Sequence, residues 1–196
     1  MTNASHQFQL AVVAGAIVLL LFVGVGVAAP ATPSPAHGHG AAPDAQAQAS
    51  PEQRAAAATL FEDVKAAIAR HADVRIAQAE GFEQGRERFR FGDWGPAHFR
   101  HRANRRDDRV LDATRPEGLV YFRTQDGRTL LLGAFFVAPR GQGPRPGGPI
   151  TEWHVHDPNA NSEMMHVWTF GHPDGPFARS LGRDGVQAAI QYAGVR

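Results

Sequence analysis

The chain has 196 residues, of which 43% are hydrophobic, so it is long and apolar enough to bury the core of one domain and is not disordered throughout. Its 20 basic and 19 acidic residues give a net charge of +1, a field too weak to indicate a nucleic-acid partner. Cysteine is absent, which excludes disulfides, thiolate metal ligands and a cysteine nucleophile, so a bound metal would need His, carboxylate or Met ligands.

An uncharged apolar run, LAVVAGAIVLLLFVGVGVAA, occupies residues 10–29. A helix of this length spans about 30 Å, the thickness of the hydrocarbon layer of a bilayer. The tail before it, residues 1–9, has no Lys or Arg, and the run is longer than that of a usual signal peptide. We therefore predict a single-pass membrane anchor, with secretion after signal cleavage as the alternative. In both cases the following domain is expected outside the cytoplasm, and the membrane is an expected partner.

Residues 30–49, PATPSPAHGHGAAPDAQAQA, lack large apolar side chains. Such a segment cannot bury enough surface to offset the entropy cost of ordering, and it is predicted to be a disordered linker. The remaining residues, 50–196, are predicted to form one globular domain.

The globular part begins with helical signals. Ser50-Pro51-Glu52-Gln53 has the features of a helix start with a capping box, and residues at helical spacing follow from Leu60 to His71. Asp73 is placed to cap a second, short helix that ends before Gly81, because glycine is favoured just past a helix end. One or two amphipathic helices are therefore expected.

Strand signals follow these helices. Residues 118–139 predict a β-hairpin around Asp126-Gly127, a pair that favours a type I′ turn. Two further strands are predicted over residues 150–156 and 164–170, and a short helix over residues 184–193. Helices first and strands afterwards indicate an α+β fold, in which we expect a small, mostly antiparallel β sandwich or open barrel.

Three of the ten histidines lie in EWHVHDPNANSEMMHVW, residues 152–168. His154 and His156 point to the same side of one predicted strand, and pairing with the next strand would bring His166 to them. Three imidazoles with one position left for water are typical of catalytic zinc and of many copper, manganese and iron sites. The sequence therefore predicts a site for a divalent transition metal, with zinc or copper preferred. A metal-free acid–base cleft and ordinary polar filling are the alternatives.

Two acidic residues beside these histidines, Glu152 and Glu163, are candidates for a general base, a fourth ligand or an acceptor for an imidazole N–H. A metal- or His/Glu-dependent enzyme is thus a second hypothesis, although no motif indicates its reaction. The third hypothesis is a non-catalytic module that binds a cell-envelope ligand through the arginine-rich segment 98–109. The simpler explanation of that segment is a solvated loop with local ion pairs.

Several motifs between residues 72 and 178 resemble a family of uncharacterised, exported or membrane-anchored actinobacterial proteins: AQAEGF, HFRHRAN, VLDATRPEGLVYF, WHVHD and MMHVWTFGHPDGPFA. The family lends no established activity. The resemblance implies that His98 belongs with the three histidines above to a recurring pattern, which makes His98 the candidate fourth ligand. Many members carry cysteines near W-H-x-H and beside the GPFA turn. Asp174 stands in the latter region here, so their disulfide is not expected.

Overall fold

The computed structural model of the chain describes residues 43–85 and 94–194. The predicted tail, the predicted membrane segment and most of the predicted linker lie outside these residues. Within the two described ranges, no helix has both the length and the apolar character that crossing a bilayer requires.

The described residues contain four α-helices: α1 (Pro43–Gln48), α2 (Pro51–Ile68), α3 (Val74–Ala79) and α4 (Gly182–Gly194). The capping box predicted at the start of α2 is present, because the Gln53 backbone N–H donates to the Ser50 hydroxyl (3.2 Å) and the Ser50 N–H donates to the Gln53 side chain (2.9 Å). Asp73 caps α3 as predicted. The helix predicted near the C-terminus is α4.

The structure differs from the linker prediction over residues 43–49. Pro43–Gln48 form α1, and Ala49 is buried in the same hydrophobic cluster as Leu60 of α2. The Arg54 guanidinium donates hydrogen bonds to the carbonyls of Gln46 (3.2 Å) and Ala49, and so satisfies groups that the end of α1 would otherwise leave unpaired. Of residues 44–49 only Ala49 is buried, and α1 contacts the short 3₁₀ helix Gly148–Ile150.

Five strands form one antiparallel sheet in chain order: β1 (Phe82–Gln84), β2 (Gly95–His101), β3 (Gly118–Arg123), β4 (Thr129–Pro139) and β5 (Ser162–Trp168). Each strand pairs with its neighbour in sequence, and β1 and β5 are the edges. The α+β class is confirmed. The expected sandwich or open barrel is replaced, in the described residues, by a single open sheet.

Helices cover both faces of this sheet, which leaves no apolar face for a second sheet to cover. On one face, the buried side chains of β3 to β5 pack against α2 and α3, and the core there includes Leu119, Tyr121, Phe136, Met165 and Val167. The other face, called here the α4 face, packs against α4 and includes Val120, Phe122, Leu132, Phe135 and Trp168.

The hairpin of β3 and β4 forms at Asp126-Gly127, but its turn is not type I′. A type I′ turn needs positive φ at both central residues, and in this loop only Gly127 has it (φ 86°). The Gly127 N–H donates to the Thr124 carbonyl (3.0 Å), and the Thr124 N–H donates to the Arg128 carbonyl (2.9 Å). This pattern is a longer loop that ends in a left-handed glycine. Hydrogen bonds from Thr124 and Arg128 to the Asp126 carboxylate hold it in this form.

The prediction of a strand over residues 150–156 is wrong, because only one of these residues pairs with the sheet. His154 alone forms a bridge, in which its N–H and carbonyl pair with Met164 of β5 (2.9 and 2.8 Å). The residues before it are held by the Gly/Pro loop 140–149 instead, because Trp153 is buried and its indole N–H donates to the Pro144 carbonyl (2.8 Å). The other predicted strand, 164–170, is β5, which begins and ends two residues earlier.

Candidate metal centre

The three histidines of the predicted metal site meet on the α4 face. Alternation along β5 places Met164 and His166 on that face. His154 lies opposite Met164 in the antiparallel bridge, so its side chain is on the same side, and His156 follows two residues later. The ring centroids of His154 and His156 are 4.7 Å apart, those of His154 and His166 5.1 Å, and those of His156 and His166 5.8 Å. A single bridge is enough for the predicted convergence.

One nitrogen from each of these histidines lies within 4.8 Å of the others, a group able to hold a metal ion. His154 Nε2 and His156 Nε2 are 3.0 Å apart, at hydrogen-bond distance. Tetrahedral zinc with Zn–N bonds of about 2.0–2.1 Å separates its ligand nitrogens by roughly 3.3 Å. Side-chain shifts of about 1.5 Å or less therefore convert the present arrangement into a coordination sphere.

His166 presents a free lone pair to this group. Its Nδ1 lies 3.0 Å from the Arg179 carbonyl oxygen, and since a carbonyl only accepts, Nδ1 carries the proton and Nε2 does not. Nε2 is buried and has no hydrogen-bond partner, a state that costs about 1–3 kcal/mol. A backbone carbonyl on the remote nitrogen is a usual partner of a metal-bound histidine. The side chain is thus oriented as a ligand.

Burial also sets the protonation state of the group. It lowers the pKa of His154 to about 4, with smaller contributions from His156 and Arg179. Burial likewise lowers the pKa of His166 well below its usual value, and the neighbouring histidines lower it further. His154 and His166 are therefore neutral at pH 7, which is the form that binds metals.

His98, the predicted fourth ligand, lies beside this group but is not a member of it. Its ring centroid is 5.8 Å from that of His166 and 5.3 Å from that of Phe135. It projects from β2, between the buried residues Ala97 and Phe99, and not from a solvated loop as its charged surroundings suggested. His98 therefore lies next to His166 but outside the group of three histidines whose nitrogens lie within 4.8 Å of one another.

The two candidate acids are held elsewhere. Glu163 is three residues from His166 on β5 and so points to the opposite face, where its carboxylate accepts the Gly143 N–H (2.7 Å). Glu152 lies 3.9 Å from the Arg179 guanidinium. Of the two acids, only Glu152 pairs with a residue that also contacts the histidines, namely Arg179, whose backbone carbonyl accepts a hydrogen bond from His166.

Sequence reasoning missed the backbone segment 178–181, which orients a stack of aromatic rings. His166 stacks on Trp168 (4.8 Å, 18°), and Trp168 stacks on His172 (5.5 Å, 29°). The Trp168 indole N–H donates to the Ala178 carbonyl (2.7 Å), and His172 Nε2 is 3.1 Å from the Leu181 carbonyl. His172 is itself buried, with only 6% of its surface exposed. The groups that orient these rings are backbone carbonyls, and because every residue has one, residue types in the sequence do not reveal them.

Comparisons of the chain with protein-family models, curated proteins and solved structures give no match. The resemblance to exported actinobacterial proteins rests on the sequence motifs and stays a prediction. What the protein does is therefore inferred from the geometry of the histidines and their neighbours.

Proposed function

We propose that the protein binds one transition-metal ion, zinc or copper, through His154, His156 and His166. The observation that carries this proposal is the buried Nε2 of His166, which has a lone pair, no hydrogen-bond partner and two further imidazoles beside it. Neutral imidazole suits both zinc and copper, and the chain offers no thiolate that would compete.

We further propose that residues 10–29 tether this domain to the outer side of a membrane. The support is the uncharged apolar run itself, whose length matches a bilayer. Fractionation tests it: the full chain should sediment with membranes, and a chain that lacks residues 10–29 should not. Sedimentation of both forms would contradict the tether.

The metal proposal is tested by elemental analysis and calorimetry on the full chain, purified without a His-tag in neutral detergent. We expect about one equivalent of metal in the unmodified protein and none in the double variant His154→Ala/His156→Ala. The matched control is His37→Ala/His39→Ala, which removes the same number of imidazoles from the N-terminal segment and should leave the stoichiometry unchanged. Equal, sub-stoichiometric metal in all three proteins would refute the proposal.

A metal-dependent enzyme is the second candidate, and the exposure of His156 favours it. His154 and His166 are buried while His156 is exposed, so the group opens to solvent on one side. A catalytic zinc site has three protein ligands and keeps such a position for water or substrate. Turnover in a panel of hydrolase and oxidase substrates that disappears in His166→Ala would support catalysis. A fourth protein ligand, seen by X-ray absorption spectroscopy, would count against it.

A further inference from the structure

A cavity of about 590 Å³ opens beside the edge strand β1 and its neighbour β2. Four arginines line it, Arg100, Arg102, Arg105 and Arg106, with Glu83 as the one acidic residue among its described lining. Cavities of this volume accommodate small organic molecules. The wall of this one is strongly basic, although the chain as a whole is nearly neutral.

Ion pairs among the described residues do not account for three of these arginines, Arg102, Arg105 and Arg106. Two nearby acids pair with other arginines, Asp107 with Arg115 (2.9 Å) and Asp112 with Arg109 (3.1 Å). Among residues 43–85 and 94–194, no carboxylate is within ion-pair distance of Arg102, Arg105 or Arg106. The interpretation of this segment as a solvated loop of mutual ion pairs therefore holds for Arg109 but not for Arg102, Arg105 and Arg106.

The backbone that carries these side chains is fixed. The Asn104 N–H donates to His101 Nδ1 (3.1 Å), so the proton of the neutral ring is on Nε2, which donates to the Glu80 carbonyl (3.0 Å). Asn104 is itself buried, and its side-chain amide donates to a backbone carbonyl (2.9 Å). The short 3₁₀ helix that bears Arg105 and Arg106 is thus tied to the sheet, which lowers the cost of ordering these side chains around a ligand.

We propose that this cavity, called here the arginine cleft, binds a ligand that carries a phosphate monoester. A guanidinium donates two parallel hydrogen bonds to phosphate oxygens, and several guanidiniums are needed to balance a doubly charged group. The phosphate belongs either to a free metabolite or to a lipid headgroup, since the recognising chemistry is the same. This site is separate from the metal proposal and needs no metal ion.

Thermal unfolding of the full chain in neutral detergent, with chelator and 20 mM NaCl, tests the proposal, because a ligand that binds the folded state raises Tm. One arm adds glycerol 3-phosphate, and the other adds phosphatidic acid to the micelles. We expect a saturable rise in Tm that shrinks at 150 mM NaCl. In Arg105→Gln/Arg106→Gln the midpoint concentration should increase roughly tenfold, and Arg102→Gln should weaken binding in the same direction.

The matched control is Arg145→Gln/Arg183→Gln, which removes two exposed arginines outside the cleft and should change the midpoint less than about twofold. A response to glycerol 3-phosphate supports a soluble ligand, and a response to phosphatidic acid alone supports a lipid headgroup. No response in either arm overturns the proposal. Equal losses in the cleft variant and the control overturn it too, because they indicate only a general attraction between opposite charges.

Discussion

Metal affinity should fall only slowly as the pH is lowered, because two of the three ligands resist protonation. Protons compete with a metal for each imidazole once the pH drops below the pKa of that imidazole. Three ordinary histidines with a pKa of about 6.5 would lose affinity by about 10⁴-fold between pH 7 and pH 5. Burial lowers the pKa of His154 to about 4 and that of His166 well below its usual value.

At most one of the three ligands therefore takes up a proton in this interval. The loss of affinity between pH 7 and pH 5 is expected to stay far below 10⁴-fold, because His154 and His166 remain unprotonated. Below pH 4 the loss should steepen, as His154 begins to protonate. Competition titrations of zinc against a chelator of known affinity, at half-unit pH steps, measure this directly.

A loss near 10⁴-fold over the same range would refute the reasoning. It would mean that all three rings are hydrated and titrate normally, so that the buried group does not exist in solution. The comparison needs no assumption about the absolute affinity, since only the slope against pH is used.

Three further predictions follow from single contacts. Gly143→Ala should destabilise the fold by about 1–3 kcal/mol in urea unfolding, because a Cβ there would lie 2.3 Å from the Trp153 ring. Gly194→Ala is the control and should not destabilise the fold, because the space around Gly194 is open. Glu117 is buried and its pKa is raised to about 7, mainly by burial. The unfolded state therefore loses its proton first, so this group alone should lower stability by about 1–3 kcal/mol from pH 4.5 to 7, against the gain that the neutral His154 and His166 give over the same range. Glu117→Gln should therefore make stability rise more steeply with pH in urea unfolding, whereas exposed Glu62→Gln should leave the slope unchanged. Glu163→Gln should bind metal as the unmodified protein does, since its side chain faces away from the histidines; a large loss of affinity would place it in the site.

Local signals in the sequence were reliable where the interaction itself is local. The capping box needs only Ser50 and Gln53, and the hairpin needs only a glycine between two apolar runs, so both are confirmed. The turn type was wrong because the Asp126 carboxylate engages Thr124 and Arg128, which lie just outside the dipeptide on which the prediction was based. The covering of both sheet faces by helices depends on contacts between distant segments, and periodicity does not encode it.

The candidate site was predictable for a different reason. His154 and His166 come together if His154 lies opposite a residue of β5 that faces the same side as His166. The bridge between His154 and Met164 meets this condition, although residues 150–156 do not form a full strand. The Arg179 carbonyl that sets the proton on His166 could not be predicted, because every residue has a carbonyl and only the fold selects one. The loop that holds Trp153 could not be predicted either, because it depends on the close approach of the Trp153 ring to Gly143, which only a residue without a Cβ allows.

The three histidines differ in how firmly the surrounding structure fixes their positions. His166 is paired along β4 and β5 and hydrogen-bonded to the Arg179 carbonyl, while His154 is held by one bridge and by the burial of Trp153 beside it. His156 lies beyond that bridge and is exposed. Because ordering a side chain costs conformational entropy, the exposed ring has the most to lose when an ion binds. An ion would thus bind two imidazoles that are already in place, and His156 would then move to become the third ligand. Metal affinity should therefore fall more when the loop that anchors Trp153 is changed than when exposed residues next to His156 are changed.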